Sequence, residues 1–311
     1  MDKIQLKNYN AEEFLQAISH NGELYSLLNG RYVFRGHSSE KWDLIPTALR
    51  EKAFDRVYFD DEHRITSKIS SDAPDWECLQ IEREIGILRN FYEKCDKYGL
   101  AIPEIPRLRK DIFNALASNL INQYEDWISE DFYELAALAQ HYGLPTRLLD
   151  WSYSVFVALY FAISGIRTIN DSELTPGIVI WALDTRLTDP VYHKGTPLKI
   201  IRPKYDGNLN LCAQKGLFTF WLVKKGENPQ TSKGNINSTN RQPLDKLITE
   251  NLEVDDMPLM YKIVICRENL SELYDFLKYN HIEAATLFPG YSGVTRSIIE
   301  NQFFSNIHKQ R

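Results

Sequence analysis

Runs of residues with strand-like composition are unevenly distributed along this chain of 311 residues. Three of them lie in the second half and are rich in β-branched and aromatic residues: Gly177–Asp184, 212–223 and Met260–Cys266. In the first half one such run stands out, residues 31–34, and it ends abruptly at Gly36. We therefore predict that this early strand joins, over a long sequence distance, a sheet built by the later strands.

Much of the remaining sequence has apolar residues at the spacing that is typical of helices. Helices are predicted at residues 11–19 with Asn10 as N-cap, and at 77–95, 108–124, 131–141 with Asp131 as cap, 154–163 and 268–279. The polar, glycine- and asparagine-rich residues 225–243 are predicted to form a mobile loop. The sequence thus indicates one α+β domain over residues 1–311, with a substantial helical insertion at about 50–130.

Composition argues against several classes of protein. The net charge of −6 is unlike that of a protein that binds nucleic acid non-specifically by neutralising phosphates. The four cysteines are scattered without a CxxC pair, and no histidine or cysteine spacing indicates a metal site. The amino terminus lacks the apolar stretch of a signal peptide, and no apolar run is long enough to span a membrane. We expect a cytoplasmic protein without membrane contact or bound metal.

The tetrapeptide Phe34-Arg35-Gly36-His37 ends the early strand. A guanidinium is a planar fork that binds a phosphate or a carboxylate through two parallel hydrogen bonds. The glycine that follows has no side chain, so the backbone could approach a ligand closely at this point. The structural alternative is an arginine held in an internal salt bridge beside a turn glycine.

A second stretch, residues 139–152, is rich in polar groups although it lies between two apolar helices. Polar groups in an apolar setting require hydrogen bonds from the protein itself or from a ligand. Its His141 and Asp150 are capable of acid–base chemistry. The structural alternative is an internal network in which Arg147 pairs with Asp150 and His141 holds a backbone carbonyl.

Both stretches resemble the FRG-domain family. Phe34-Arg35-Gly36 is similar to the tripeptide that gives this family its name, and residues 140–151 (QHYGLPTRLLDW) resemble its second signature. The ALYFA helix at 158–162, the segment AQKGLFT at 213–219 and, more weakly, LFPG at 287–290 resemble further parts of the pattern. The matching elements span roughly residues 30–295.

The order of these elements also resembles the ADP-ribosyltransferase superfamily, in which an aromatic-Arg-Gly motif ends the first strand. This resemblance implies an ADP-ribosyltransferase-like fold of mixed sheets, with NAD as a substrate and Arg35 holding its pyrophosphate. Ser152 falls at the position of the superfamily's serine motif, and Gln214 falls near its third motif. The sequence departs from the pattern because residues 215–217 carry no carboxylate and no Ser-Thr-Ser triplet occurs.

Asp150 and Glu283 are the carboxylates that adjoin the matching motifs. Catalytic roles are predicted for Arg35, His141, Asp150, Ser152 and Gln214. Binding of NAD is predicted for Phe34, Arg35, Gly36, His37, Tyr142, Thr146, Arg147, Trp151 and Phe218. The rings of Tyr142, Trp151 and Phe218 could stack on nicotinamide or a base, with packing in the core as the alternative.

Three functions follow from these observations. The first, implied by the resemblance, is an ADP-ribosyltransferase that modifies RNA, DNA or protein as a toxin or anti-phage effector, with a neutralising antitoxin as partner. The second is an enzyme that hydrolyses NAD or a nucleotide, or cleaves RNA, with His141 and Asp150. The third is a non-catalytic module in which Arg35 and Arg147 hold an anionic ligand.

Overall fold

The computed structural model describes residues 2–50, 53–54, 76–111, 128–189, 196–222, 242–252 and 258–309. Within these ranges seven strands form a mixed sheet: β1 (Ile4–Tyr9), β2 (Tyr32–His37), β3 (Leu149–Ser152), β4 (Gly177–Asp184), β5 (Leu198–Ile201), β6 (Gly216–Trp221) and β7 (Met260–Cys266). Their order across the sheet is β1-β7-β4-β2-β3-β6-β5. The early strand β2 therefore does join strands from the second half, as predicted.

The pairing of β2 is strong on one side and weak on the other. All of β2 pairs antiparallel with β4, so that Phe34 lies opposite Ala182. On its other side β2 pairs with β3 at one position, Phe34 opposite Ser152. Because the ladder is limited to that pair, the two strands are free to separate beyond it. The sheet thus has a natural opening between β2 and β3.

Helices surround this sheet. They are α1 (Ala11–Ala17), α2 (Trp76–Lys97), α3 (Pro106–Asp111), α4 (Tyr133–His141), α5 (Val155–Ser164), α6 (Leu209–Ala213), α7 (Leu244–Asn251), α8 (Leu270–Tyr279), α9 (Ala284–Leu287) and α10 (Tyr291–Lys309). The predicted cap of α1 is confirmed, because the Asn10 side chain accepts from the backbone of Glu13 and Glu13 in turn accepts from the backbone of Asn10. Helix α2 lies in the predicted helical insertion.

The core is divided by the sheet. All eight residues of β4 are buried, and their side chains alternate between two apolar clusters. One cluster packs β4 and β7 against α1, α5 and α8, and the other includes residues of α7. A third cluster joins α2 and α4 to β6. Burial on both faces explains why β4 reads as a continuous apolar run in the sequence.

Several local predictions were wrong. Asp131 does not cap α4 as predicted, because it lies in a short 3-10 turn that precedes the helix. The residue at the N-cap position is Phe132, whose side chain makes no capping hydrogen bond. The expected strand at 212–223 begins only at Gly216, because residues up to Ala213 form α6. Helix α10 and strands β1, β3 and β5 were not predicted. The predicted loop at 225–243 and most of the helix at 108–124 lie outside the described residues.

Candidate functional site

A cavity of about 340 Å³ opens where β2 and β3 separate. The early strand, the stretch 140–152 and β6 meet here, so segments more than a hundred residues apart share one site. The lining residues are Phe34, Arg35, Gly36, Thr47, Gln140, His141, Asp150, Trp151, Ser152, Ala158, Phe161, Leu211, Gln214, Gly216, Leu217, Phe218 and Phe288. All five side chains predicted to be catalytic are among them.

Arg35 and Asp150 form the charged centre of the cavity. Arg35 Nη1 lies 2.6 Å from Asp150 Oδ1 and donates a further hydrogen bond of 2.8 Å to the Asp150 backbone carbonyl. The arginine side chain thus bridges the two separating strands. Among the described residues the remaining nitrogen, Nη2, has no hydrogen-bond partner. One arm of the guanidinium is therefore available to a ligand.

Asp150 is open to the cavity although protein surrounds it on most sides. Its side chain is 61% exposed, whereas that of Arg35 is 12% exposed. Desolvation acts to raise the pKa of Asp150, but the charge and hydrogen bond of Arg35 outweigh it and lower the pKa below the usual value. Gln140 also donates to Oδ1, over 3.3 Å, while Thr146 donates to the Gln140 amide oxygen. The carboxylate is thus held ionised at neutral pH.

His37 lies behind Arg35 and does not line the cavity. Arg35 Nε donates to His37 Nε2 over 3.0 Å, and because arginine is only a donor, His37 Nε2 must be unprotonated. The proton is therefore on Nδ1, 3.1 Å from the Trp42 carbonyl that accepts it. Burial, followed by the charge of Arg35, lowers the pKa of His37 to about 3. His37, predicted to bind NAD, instead orients Arg35 as a neutral imidazole.

Gly36 is required by packing against α5. A Cβ atom added here would lie 1.9 Å from the Ala158 carbonyl oxygen and 2.7 Å from the Ala162 nitrogen. The space beside this glycine is thus filled by helix backbone, whereas the sequence suggested room for a ligand. The close approach of α5 to β2 fixes the floor of the cavity.

His141 reaches the cavity from the end of α4. Its Nε2 lies 2.8 Å from the Asn210 side-chain nitrogen, which can donate to it. Burial lowers the pKa of His141, so the ring is neutral at physiological pH. A neutral imidazole at the cavity wall is chemically able to accept a proton. Within the described residues the partner of this ring is a side-chain amide, whereas the structural alternative had it hold a backbone carbonyl.

Ser152 and Gln214 line the cavity but already make internal hydrogen bonds. Ser152 Oγ donates to the Gln214 carbonyl over 2.7 Å and accepts from the Ser154 amide over 3.0 Å. The Gln214 side chain donates to the Leu287 carbonyl over 3.1 Å. These bonds tie β3 to the turn before β6 and to α9. The two residues shape the wall of the site.

Arg147 is placed away from the cavity, in a buried pair with a carboxylate of α2. Its Nε and Nη2 each donate over 2.9 Å to the two oxygens of Glu84. The two side chains are 2% and 1% exposed. The expected partner, Asp150, pairs with Arg35 instead, because Leu149 and Trp151 face one side of β3 while Asp150 faces the other. Thr146 is likewise buried and acts through Gln140.

The three predicted stacking residues differ in their surroundings. Tyr142 is 72% exposed and contacts the outer edge of His141, outside the cavity lining. Trp151 borders the cavity, but its indole belongs to a buried core cluster and donates to Thr219 Oγ1 over 2.8 Å. Phe218 is buried and lines the wall. Of the three, Phe218 has the clearest access to a ligand.

Glu283 is committed elsewhere. Its side chain caps the first turn of α9 and accepts a hydrogen bond from Ser297. It does not line the cavity, whose carboxylate among the described lining residues is Asp150. Of the two carboxylates that the sequence offered, Asp150 and Glu283, Asp150 is therefore the one that lies in the cavity.

Some residues of the site were not singled out from the sequence. Thr47, Phe161, Leu211 and Phe288 line the cavity, Asn210 contacts His141, and Glu84 holds Arg147. Phe161 and Phe288 lie in the ALYFA and LFPG segments, so their place in these motifs could have indicated that they belong to the site. Asn210 and Glu84 carry no local signal because each meets its partner only through the tertiary fold.

Across the described ranges, no cluster of three or more His, Cys, Asp or Glu side chains is arranged to hold a metal ion. None of the helices in the described part of the chain combines the length and the apolar composition of a membrane span.

Comparison with known proteins gives one positive result. Neither the curated proteins nor the solved structures provide a match to this chain. A family model does match, over residues 30–171, a region that contains Arg35, the stretch 140–152 and α5. That model describes the FRG domain, so residues 30–171 of this chain are similar to the FRG domain.

Proposed function

We propose that this protein is an ADP-ribosyltransferase that cleaves NAD and transfers ADP-ribose to a macromolecular acceptor. The observation that carries the proposal is the meeting of Arg35 and Asp150, 2.6 Å apart, in a cavity with aromatic walls. A cation and an ionised carboxylate side by side suit a substrate with a diphosphate and a sugar carbon that becomes positive. NAD has both features: a diphosphate that the cation can bind, and a ribose carbon whose developing positive charge the carboxylate can stabilise.

Arg35 is the diphosphate-binding residue in this proposal. Its Nη1 is held by Asp150 and its Nε by His37, while Nη2 is free of hydrogen bonds within the described residues. Such a guanidinium is already oriented before the ligand arrives, which reduces the conformational entropy lost on binding. Charge-assisted hydrogen bonds from arginine to phosphate are among the strongest in proteins.

Asp150 stabilises the reacting sugar. When the bond between C1′ and the nicotinamide nitrogen breaks, its electron pair leaves with nicotinamide, which departs neutral, and positive charge develops on the ribose. An adjacent carboxylate stabilises such an oxocarbenium-like state. A nucleophile of the acceptor then bonds to C1′ and gives up a proton. His141, neutral and at the same wall, takes this proton on Nε2 after Nε2 gives up its hydrogen bond from Asn210.

The size of the cavity is compatible with the reacting half of NAD. Ligand sites commonly enclose about 300 to 1,000 Å³, and this cavity of about 340 Å³ lies at the small end. Phe34, Phe161, Phe218 and Phe288 provide apolar surface for a planar ring. The rest of the dinucleotide would extend toward the open mouth, where an acceptor can approach.

The test is incubation of the purified protein with adenine-labelled NAD and cell lysate, followed by separation of protein, RNA and DNA. The proposal predicts label on one of these classes with wild type, and its loss with Asp150→Asn and with Arg35→Gln. An Arg167→Gln variant, which changes an exposed arginine away from the cavity, serves as the control for charge. Absence of label on every class in the wild-type reaction would contradict the proposal.

A second candidate is a non-catalytic module that binds an anion. It is favoured by the internal hydrogen bonds of Ser152 and Gln214, which leave these two side chains less free to take part in chemistry. This candidate predicts that NAD raises the melting temperature without being consumed. Release of free ADP-ribose without labelled macromolecule would instead indicate hydrolysis of NAD.

A further inference from the structure

The turn at Pro46–Arg50 borders the cavity through Thr47. Residues Thr47–Leu49 form a 3-10 turn, and Arg50 follows it. The turn is fixed at Ala48, whose amide donates to the Thr146 carbonyl over 3.0 Å and whose carbonyl accepts from Gln80 over 3.0 Å. Thr47 lines the cavity. The Arg50 side chain, three residues after Thr47, therefore starts from a fixed backbone position near Arg35 and Asp150.

Arg50 follows this turn, and one hydrogen bond within the protein orients its guanidinium. Its Nε donates to the Ile45 carbonyl over 2.9 Å, which fixes the plane of the group. Neither terminal nitrogen has a hydrogen-bond partner within the part of the chain that the structure describes. The residue is exposed, so both nitrogens are accessible to a ligand.

The charges that the structure describes around Arg50 are unbalanced. Although the residue reaches the surface, desolvation of its guanidinium by the surrounding protein lowers its pKa first, followed by the charge of Arg35, while Asp150 acts in the opposite direction. Both Arg35 and Asp150 therefore act electrostatically on Arg50. The single carboxylate of Asp150 is already paired with Arg35. Among the described residues, two guanidinium groups thus face one carboxylate, and an anion that binds between them relieves their repulsion.

We propose that Arg50 is a second phosphate-binding residue, and that a diphosphate lies between Arg35 and Arg50. This inference rests on the proposed function and names the part of NAD that each arginine contacts. Each guanidinium is a fork that matches one phosphate group. Two forks, one beside the Asp150 carboxylate and one on the turn that borders the cavity through Thr47, suit two linked phosphates better than a single carboxylate.

Isothermal titration with ADP-ribose and with inorganic pyrophosphate tests this inference without requiring catalysis. Charge-assisted hydrogen bonds contribute about 1.5 to 3 kcal/mol, so Arg50→Gln is expected to weaken binding of both probes by about 10- to 100-fold. Arg50→Lys, which keeps the charge but not the fork, should lose less. The control Arg167→Gln should bind both probes as wild type does.

The outcomes separate this inference from the proposed function. If Arg50→Gln binds both probes as tightly as wild type, the role of Arg50 is wrong, whether or not NAD is turned over. If wild type binds neither probe, the inference is also wrong. If pyrophosphate and ADP-ribose bind through Arg50 but no macromolecule is ever labelled, the diphosphate site stands and the transferase activity does not. Arg50→Lys decides the matter should Arg50→Gln fail to fold.

Discussion

Arg147 and Asp150 are close neighbours in the sequence, yet they belong to two arginine–carboxylate pairs with opposite surroundings. Arg147 and Glu84 are 2% and 1% exposed and make two parallel hydrogen bonds of 2.9 Å. Arg35 and Asp150 meet in an open cavity, with the carboxylate 61% exposed. The same chemical groups thus form one closed pair and one open pair.

The difference shows that burial decides what such a pair can do. In the closed pair every strong contact is satisfied by the protein, so no ligand can compete for it. In the open pair, Arg35 retains a nitrogen that has no hydrogen-bond partner among the residues the structure describes, and Asp150 faces the cavity. The closed pair should therefore matter for folding, and the open pair should matter for binding and chemistry.

Glu84→Gln should have the largest effect on stability. Removing one member of a buried ion pair leaves an uncompensated charge and typically costs about 3–5 kcal/mol. The variant also weakens the network that includes Gln80, which donates to Glu84 over 2.8 Å. Urea unfolding followed by circular dichroism measures this free energy. A loss below about 1 kcal/mol, which is typical of exposed pairs, would mean that the closed pair has no special role.

Asp150→Asn, in contrast to Glu84→Gln, should lower activity strongly and stability little. Loss of a charge that stabilises a transition state lowers the rate by about 100- to 1,000-fold, while the free energy of unfolding should change by less than about 1 kcal/mol. Transfer of label from NAD and urea unfolding, measured on the same preparation, give the two numbers. Retained transfer in this variant would remove Asp150 from the mechanism.

His37 should make stability depend on pH. An unfolded histidine takes up a proton near pH 6.5, whereas native His37 does so only at about 3. Between these values the unfolded state binds more protons, so the free energy of unfolding falls as the pH is lowered, by up to about 1.4 kcal/mol per pH unit. His37→Gln can still accept from Arg35 but cannot be protonated, and its profile should be flatter. Identical slopes below pH 6.5 would contradict the buried neutral imidazole.

Tyr142→Ala should have the smallest effect. The side chain is 72% exposed and lies outside the cavity lining. Surface substitutions of this kind usually change stability by less than about 0.5 kcal/mol, and transfer from NAD should remain at the wild-type level. A clear rise in KM for NAD would show that this ring does contact the substrate, as the sequence suggested.

The sequence allowed the strong local patterns to be predicted. The cap at Asn10, the helix Trp76–Lys97 and the buried strand Gly177–Asp184 each carry a complete local signal. Strand β3 was missed because it has only four residues, within a stretch dominated by polar side chains. Helix α10 was missed because its first turn contains Gly293 and follows Gly290, which resemble a terminal loop.

The site was predicted in outline and not in its pairings. The stretch 140–152 and Arg35 were expected to converge, and the structure places them around one cavity. The exchange of partners, Arg147 to Glu84 and Asp150 to Arg35, could not be foreseen, because it depends on which face of β3 each side chain occupies. Register and long-range contacts decide such pairings, and neither is encoded in a short motif.

The most direct test of the account is a crystal structure of the protein with a non-hydrolysable NAD analogue at saturating concentration. The analogue is expected in the cavity between β2 and β3, with a phosphate oxygen hydrogen-bonded to Arg35 and the C1′ carbon facing the Asp150 carboxylate. Arg147 should remain bound to Glu84. An analogue bound elsewhere, or an empty cavity with Arg35 and Asp150 unchanged, would contradict it.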